Sequence, residues 1–338
     1  MPVTIRDVAE AAGVSPMSVS KVLHGRGKNV RVSDETAALI RRIADDLQYR
    51  PNELARSFRQ RRTRTLGLAF EGVIELSGPV RYFTDIVDGA TRAAFDLNYS
   101  VTLCSRLTGP NPTFTLAEGR FDGLLWCRTH ADEEELNFIR NCRIPVVFMH
   151  NPLCGMPTEQ SHVGWDNASA VRMAMQHLAE LGHKSVGFVV STNNADNLEA
   201  RLRRELFLAE CQQLGIQGNA FIWDETLDAV RNWWQANPAE TALIFWNDTS
   251  GIAMLHFARQ LGIAIPQDLS VVSFDSTYQC DFTTPRLTAL RQPLTDMAKR
   301  ATELLIQRIE NPETGPIHDM FPCVLDIRES TARPRLAP

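Results

Sequence analysis

From Thr65 onward, short runs rich in Val, Ile, Leu and Phe alternate with amphipathic stretches, and this rhythm constrains the fold more than any other feature of the chain. TLGLAF (65–70), YSVTLC (99–104), DGLLW (122–126), PVVFM (145–149), SVGFVV (185–190), TALIFWN (241–247) and SVVSFD (270–275) read as strands buried on both faces. Helix-like stretches lie near 83–97, 133–141, 167–181, 199–214, 226–236 and 250–261. LRQPLTDMAKRATELLIQRIE (290–310) reads as one more helix and FPCVLDI (321–327) as a last strand. A parallel connection needs a crossover long enough to hold a helix, so the alternation gives a parallel sheet covered on both faces. Roughly 270 residues exceed one such core, so two doubly wound parallel-sheet α/β lobes with a cleft between them are expected.

The first 50 residues carry a different pattern, all α. Thr4 caps a first helix with Asp7 as its capping-box partner, and Gly13 stops it. Ser15 caps a second helix with Pro16 in its first turn, where a missing N–H costs nothing. Ser33 caps a third, Asp34 and Glu35 suit its positive end, and Tyr49 with the Arg50-Pro51 step closes it. Helix, tight glycine turn, helix, loop, helix is the skeleton of a helix-turn-helix. The expected domains are therefore 1–50, a hinge and linker at 51–64, and a body at 65–338. Lobe 1 of the body is expected to hold about 65–158 and 291–318, and lobe 2 about 159–290 and 319–338.

Charge divides along the same line. The whole chain has a net charge of −5, yet residues 1–65 hold 13 Lys and Arg against 7 Asp and Glu. That leaves 22 against 33 in the remainder, so a head of +6 sits on a body of −11. Such asymmetry fits one small module that touches a polyanion. No apolar run reaches the ~18–20 residues of a membrane span, and MPVTIRDVAEAAG offers no signal-peptide core. The seven Cys are scattered and never paired as CxxC, which points to free thiols in a reducing cytoplasm. A secreted solute-binding protein is thereby disfavoured, and no membrane partner is expected.

At ~100° per residue, Met17, Ser20, Lys21 and His24 fall on one side of the second helix, and Val19, Val22 and Leu23 on the other. The apolar trio must bury against Val8, Ala12, Ile40 and Ile43. The polar face is either the solvated side of a three-helix bundle or the side that enters a major groove. In the second case Lys21 donates to a guanine edge or a phosphate, while Pro16 and Met17 offer apolar contact. RPNELARSFRQRRTRTLG (50–67) holds only ~8 helix-competent residues, too few for a helix stable alone in water. It is either a flexible basic linker or a segment that folds on DNA, with Phe58 as a wedge between base steps.

TIRDVAEAAGVSPMSVSKVLHG, VSDETAALIRRIADDLQYRPNELARSF and RTRTLGL together resemble the head and hinge of the LacI/GalR family of bacterial transcription regulators. Similar strings continue downstream, among them FDGLLW (121–126), HVGWDNASA (162–170), ARLRRELF (200–207), WND (246–248), LGIAIPQDLSVVSFDS (261–276) and PRLTALRQPLTDMAKRATELL (285–305). The resemblance implies a cytoplasmic homodimer that binds a palindromic double-stranded DNA operator, most simply as a repressor of carbohydrate-metabolism genes. It also implies a small-molecule effector in a periplasmic-binding-protein-like body. On the head it assigns Thr4, Arg6, Pro16, Met17, Ser20 and Lys21 to DNA contact, and on the hinge Asn52, Ala55 and Phe58; Ser15 at the start of the second helix, His24 on its polar face, and Arg56 and Arg59 in the basic segment complete the expected DNA-binding set. Phe58 stands where the family has an intercalating leucine, Lys21 where arginine is common, and GRGKNVRV (25–32) is longer and more basic than the family norm.

Ligands in open parallel sheets sit beyond the carboxyl ends of the strands. Trp126, Trp246, Asn247 and Asp275 stand there, and Arg203 sits near the start of a helix. The resemblance places Arg203, Asn247 and Asp275 against effector hydroxyls or charged groups, and the set suits a sugar or sugar derivative, with tryptophan faces for its C–H patches. Asn247 and Asp275 could instead cap helices, and either tryptophan could be core. Tyr82 and Phe83 are weaker candidates. HExxH, GxSxG and GxxxxGK[ST] are all absent and the eight His are dispersed, so neither an enzyme nor a cofactor or metal site is expected. An α/β enzyme with an incidental basic head is the competing reading. RESTARPRLAP (328–338) has no leucine heptad, so a dimer is expected rather than a coiled-coil tetramer.

Overall fold

The computed structural model describes residues 3–25, 30–50, 62–70, 81–104, 119–128, 137, 139–149 and 159–334. It divides into two compact units, Met1–Thr63 and Arg64–Pro338.

Among the described residues of the first unit the helices are α1 (Ile5–Ala12), α2 (Pro16–His24) and α3 (Asp34–Asp46). Each starts at the cap its sequence supplies. Thr4 and Asp7 form a reciprocal capping box, Ser15 Oγ accepts from Ser18 N, and Ser33 Oγ accepts from Thr36 N. Gly13 and Gly25 end α1 and α2 at φ 65° and 68°, a backbone conformation cheap only for glycine. α3 ends three residues before Tyr49, where Gln48 takes a left-handed φ of 53°. Val8, Ala9, Val19, Ile40 and Ala44 form the core, with Ala12, Val22, Leu23, Ile43 and Tyr49 packed on it. The three apolar residues of α2 thus face the partners their helical spacing predicts.

The second unit contains two six-stranded sheets. The first comprises β1 (Thr65–Ala69), β2 (Ser100–Cys104), β3 (Gly123–Trp126), β4 (Val146–Phe148), β5 (Ser161–Trp165) and β11 (His318–Phe321), in the order β11-β5-β4-β3-β1-β2. The second comprises β6 (Ser185–Ser191), β7 (Gln217–Trp223), β8 (Ala242–Phe245), β9 (Ser270–Phe274), β10 (Thr288–Arg291) and β12 (Val324–Asp326), in the order β12-β10-β9-β8-β6-β7. Pairing is parallel throughout except β10 with β12. Each sheet therefore repeats one doubly wound order, with its switch point between β1 and β3 or between β6 and β8. Helices given in full among the described residues of this unit are α4 (Arg81–Asp96), α5 (Asn167–Leu181), α6 (Leu198–Leu214), α7 (Leu227–Gln235), α8 (Asp248–Leu261) and α9 (Leu294–Glu310).

The changeover between lobes comes later than the sequence pattern predicts. β5 pairs with β4, and β11 with β5, so both 161–165 and 318–321 belong to the first sheet rather than the second. In the sequence β5 is hidden because His162 and Gly164 break its apolar run, although all five of its residues are buried. FPCVLDI splits for a local reason: Pro322 lacks an N–H, so the chain leaves β11 at Phe321 and enters the second sheet at Val324. The helix expected from 290 starts at Leu294, because Pro293 disfavours helix at the residue before it and 288–291 pair as β10. β7 was also missed, being a half-exposed edge strand that opens with polar Gln217, Gly218 and Asn219. The helix expected over 133–141 lies largely outside the described residues. No helix among the described residues is long and apolar enough to cross a membrane.

Candidate functional site

On α2 the helical wheel separates two faces. Val19 is fully buried, while Ser15 and Pro16 are exposed and Met17 is 63% exposed. Ser20 and Lys21 are half-buried, and Thr4 and Arg6 stand exposed at the start of α1. His24 departs from the expected outward face: its Nε2 lies 3.4 Å from the Tyr49 hydroxyl, a contact inside the unit. Thr4 and Ser15 both spend a side-chain oxygen on capping, so the backbone N–H groups they leave at the helix starts are what remains for a phosphate. Asn52, Ala55, Arg56, Phe58 and Arg59 lie outside the described residues.

In the second unit a cavity of about 280 Å³ opens between the two sheets. Tyr82, Phe83, Cys127 and Trp165 line it from the first lobe, and Asn197, Glu199, Arg203, Glu225, Trp246, Asn247, Asp248 and Asp275 are among those lining it from the second. Strand ends and helix starts converge here, as the doubly wound topology requires. Asn197 caps α6, accepting from the amides of Glu199 and Ala200. Asn247 caps α8, accepting from Ser250 N at 2.9 Å. It is therefore both a cap and a lining residue, the two roles its sequence position allowed.

Arg203 is the centre of the site. One turn after Glu199 on α6, its side chain is only 3% exposed. Its Nε donates to Asn167 Oδ1 at 3.1 Å and its Nη1 to the Trp246 carbonyl at 2.7 Å. Nη1 lies 3.9 Å from Asp275 Oδ1, and the guanidinium stacks 4.1 Å from the Phe274 ring centroid and 5.6 Å from that of Trp165. Buried arginine is tolerable only with such pairing. Asn167 holds the arrangement together: Oδ1 also accepts from Trp165 Nε1 at 2.8 Å, and Nδ2 donates to Glu199 Oε2 at 2.6 Å.

The carboxylates are crowded. Burial pushes the Asp248 carboxyl up to about 6, the Asp275 charge adds to this, and Thr277 and Thr249 hold it down in part. Asp275, at a left-handed φ of 63°, is pushed up by burial and by Glu199, against the pull of Arg203 and of Gln292, whose Nε2 donates to Oδ1 at 2.6 Å. Burial raises the Tyr82 hydroxyl well above its ordinary value, with Asp275 and Glu199 adding to the shift. The Trp246 Nε1, buried, has no hydrogen-bond partner among the described residues. Aromatic faces beside fixed acceptors and one fixed cation suit a ligand with several hydroxyls and apolar C–H patches.

Arg203, Trp246, Asn247 and Asp275 are thus brought together, and Trp126 is not. It packs in a separate cluster with Leu124, Val146 and Phe148, while its neighbour Cys127 lines the cavity. Alternation along an extended chain sends adjacent side chains to opposite faces, so the prediction missed by one residue. Trp165, Asn167, Glu199, Asp248 and Gln292 were not singled out. Glu199 had a usable signal, four residues before Arg203 and hence on the same helix face.

A helix-turn-helix unit ahead of a two-lobed body with a ligand-sized cleft defines a ligand-responsive DNA-binding regulator. Residues 4–52 match the family model of bacterial regulatory proteins of the lacI family, and residues 175–331 that of a periplasmic binding protein-like domain. The chain thus carries a lacI-family regulatory domain at its start and a periplasmic binding protein-like domain behind it, and its relatives are regulators of that family. It is 29% identical over 336 residues to the HTH-type transcriptional regulator CelR of Thermobifida fusca, covering 97% of this chain and 98% of that protein. It is also 29% identical over 327 residues to the ribose operon repressor of Escherichia coli K12, covering 91% and 94% of the two. The structure of a CelR–cellobiose complex superposes with a TM-score of 0.72 at 26% identity, covering 97% of this chain and 99% of that one.

Proposed function

We propose that this protein is a transcriptional repressor of carbohydrate-metabolism genes that binds a palindromic operator as a homodimer and answers to a sugar-like effector held in the cleft. The observation that carries the ligand side is Arg203, locked by Asn167 and the Trp246 carbonyl among carboxylates and tryptophan faces. The relatives' names support the sugar, one structure being a complex with cellobiose and one relative a ribose operon repressor. Thr4, Arg6, Ser15, Pro16, Met17, Ser20 and Lys21 are the DNA-facing set on the head, joined by Asn52, Ala55, Arg56, Phe58 and Arg59 of the hinge. Effector binding favours one angle between the lobes and DNA another, so each ligand shifts the population the other needs. The reading includes no catalytic step.

Gel-shift titration against fragments of the source genome tests this. A palindromic site should be retained, with affinity falling steeply as salt rises and changing on addition of a sugar. Binding indifferent to sequence would remove the regulator reading.

A further inference from the structure

Two helices, α6 and α8, begin at the cavity, and a helix start is where a protein usually receives an anion. Here each first turn carries its own carboxylate, Glu199 on α6 and Asp248 on α8. Both are buried, at 2% and 3% exposure. Arg203 is the one cation among the described residues that line the cavity, and it already faces Asp275 and donates to Asn167 and Trp246. A phosphate or carboxylate entering this space would meet Glu199, Asp248, Asp275 and Glu225 around one guanidinium whose charge is spent. Hydroxyl groups meet the same surroundings favourably, because each carboxylate oxygen accepts a charge-assisted hydrogen bond.

We propose that Glu199 and Asp248 are specificity-determining residues that restrict the cleft to a sugar without a phosphate or carboxylate group. The protein then reports the uncharged sugar and ignores the phosphorylated form that a kinase would make of it. This rests on the sugar reading above and adds the ligand's charge class. It also gives the two acids a role distinct from that of Asp275, which positions Arg203.

The test is a binding panel on the full chain, read by calorimetry and by tryptophan fluorescence, since Trp165 and Trp246 line the cavity. The panel holds neutral mono- and disaccharides, their 6-phosphates, the matching sugar acids, and free nucleobases. An uncharged sugar should bind, with its phosphate and acid forms on the order of 100-fold weaker or worse. Glu199→Gln and Asp248→Asn should each narrow that ratio, and the wild-type ratio stands by itself if either variant fails to fold. A phosphorylated or acidic sugar binding as tightly as its neutral parent would overturn the charge-class proposal and leave the sugar reading intact. Binding of a nucleobase and of no carbohydrate would overturn both.

Discussion

Asn167, the first residue of α5 and two residues past the end of β5 in the first sheet, accepts a hydrogen bond from Arg203 Nε at 3.1 Å. The same oxygen accepts from Trp165, so a single buried amide joins the wall of one lobe to the cation of the other. Asn167→Ala leaves the Trp165 indole, the Arg203 guanidinium and the Glu199 carboxylate each short of a partner in a buried setting. The expected loss is about 2–4 kcal/mol of unfolding free energy in urea, together with weakened effector binding. A variant as stable as wild type would show that water replaces the amide without cost.

Asp248 makes stability depend on pH in a direction opposite to that of an ordinary paired carboxylate. Its acid form is favoured in the folded state, with a value raised from 3.8 to about 6. Between those two values the folded chain keeps a proton that the unfolded chain releases. This contribution is complete below pH 4 and is lost as pH rises through 6. Other groups titrate in the same window, so the clean quantity is the difference between wild type and Asp248→Asn. Wild type should lose roughly 1–3 kcal/mol relative to the variant between pH 4 and pH 6.5, measured by urea unfolding.

Gly89 lies on α4 where that helix crosses α9, and a Cβ there would sit well inside contact distance of the Thr295 carbonyl oxygen. In an exposed helix Gly→Ala stabilises by ~1 kcal/mol. Here the sign should reverse, with Gly89→Ala destabilising by about 1–3 kcal/mol through overpacking. A raised melting temperature would show that the two helices separate freely.

Lys21 stands on the face of α2 opposite buried Val19. Lys21→Ala should cost about 1–3 kcal/mol of operator binding and relax preference at one base pair per half-site. Loss spread evenly over operator variants would assign the side chain to a phosphate instead.

The parts of the molecule legible in the sequence are those whose signal is local. Thr4, Ser15 and Ser33 announce their helices because a cap is a contact between residues three apart. The central strands are legible because burial on both faces demands unbroken apolar runs. β5 and β11 were not, since His162 and His318 stand in them and their ring packing, 5.2 Å between centroids, exists only after the strands pair. The same limit applies to the site. Arg203 and Asp275 stand out by residue type and resemblance, whereas Asn167 acquires its role only when residues 32 and 36 positions away arrive beside it. Trp126 marks the reverse error: a conspicuous residue type at the right strand end, turned to the wrong side.

β11 and β12, separated by two residues, sit at the edges of different sheets. Beyond them Ser330 and Ala332 bond to the backbone of Val271 and to His183 and Ser270 in the second lobe. Neither lobe can therefore complete its sheet before residues 318–326 have been made. A nascent polypeptide that has reached only residue 310 still lacks an edge on both sheets, so the two lobes should reach their native state together. A premature stop codon in this short stretch would damage both at once.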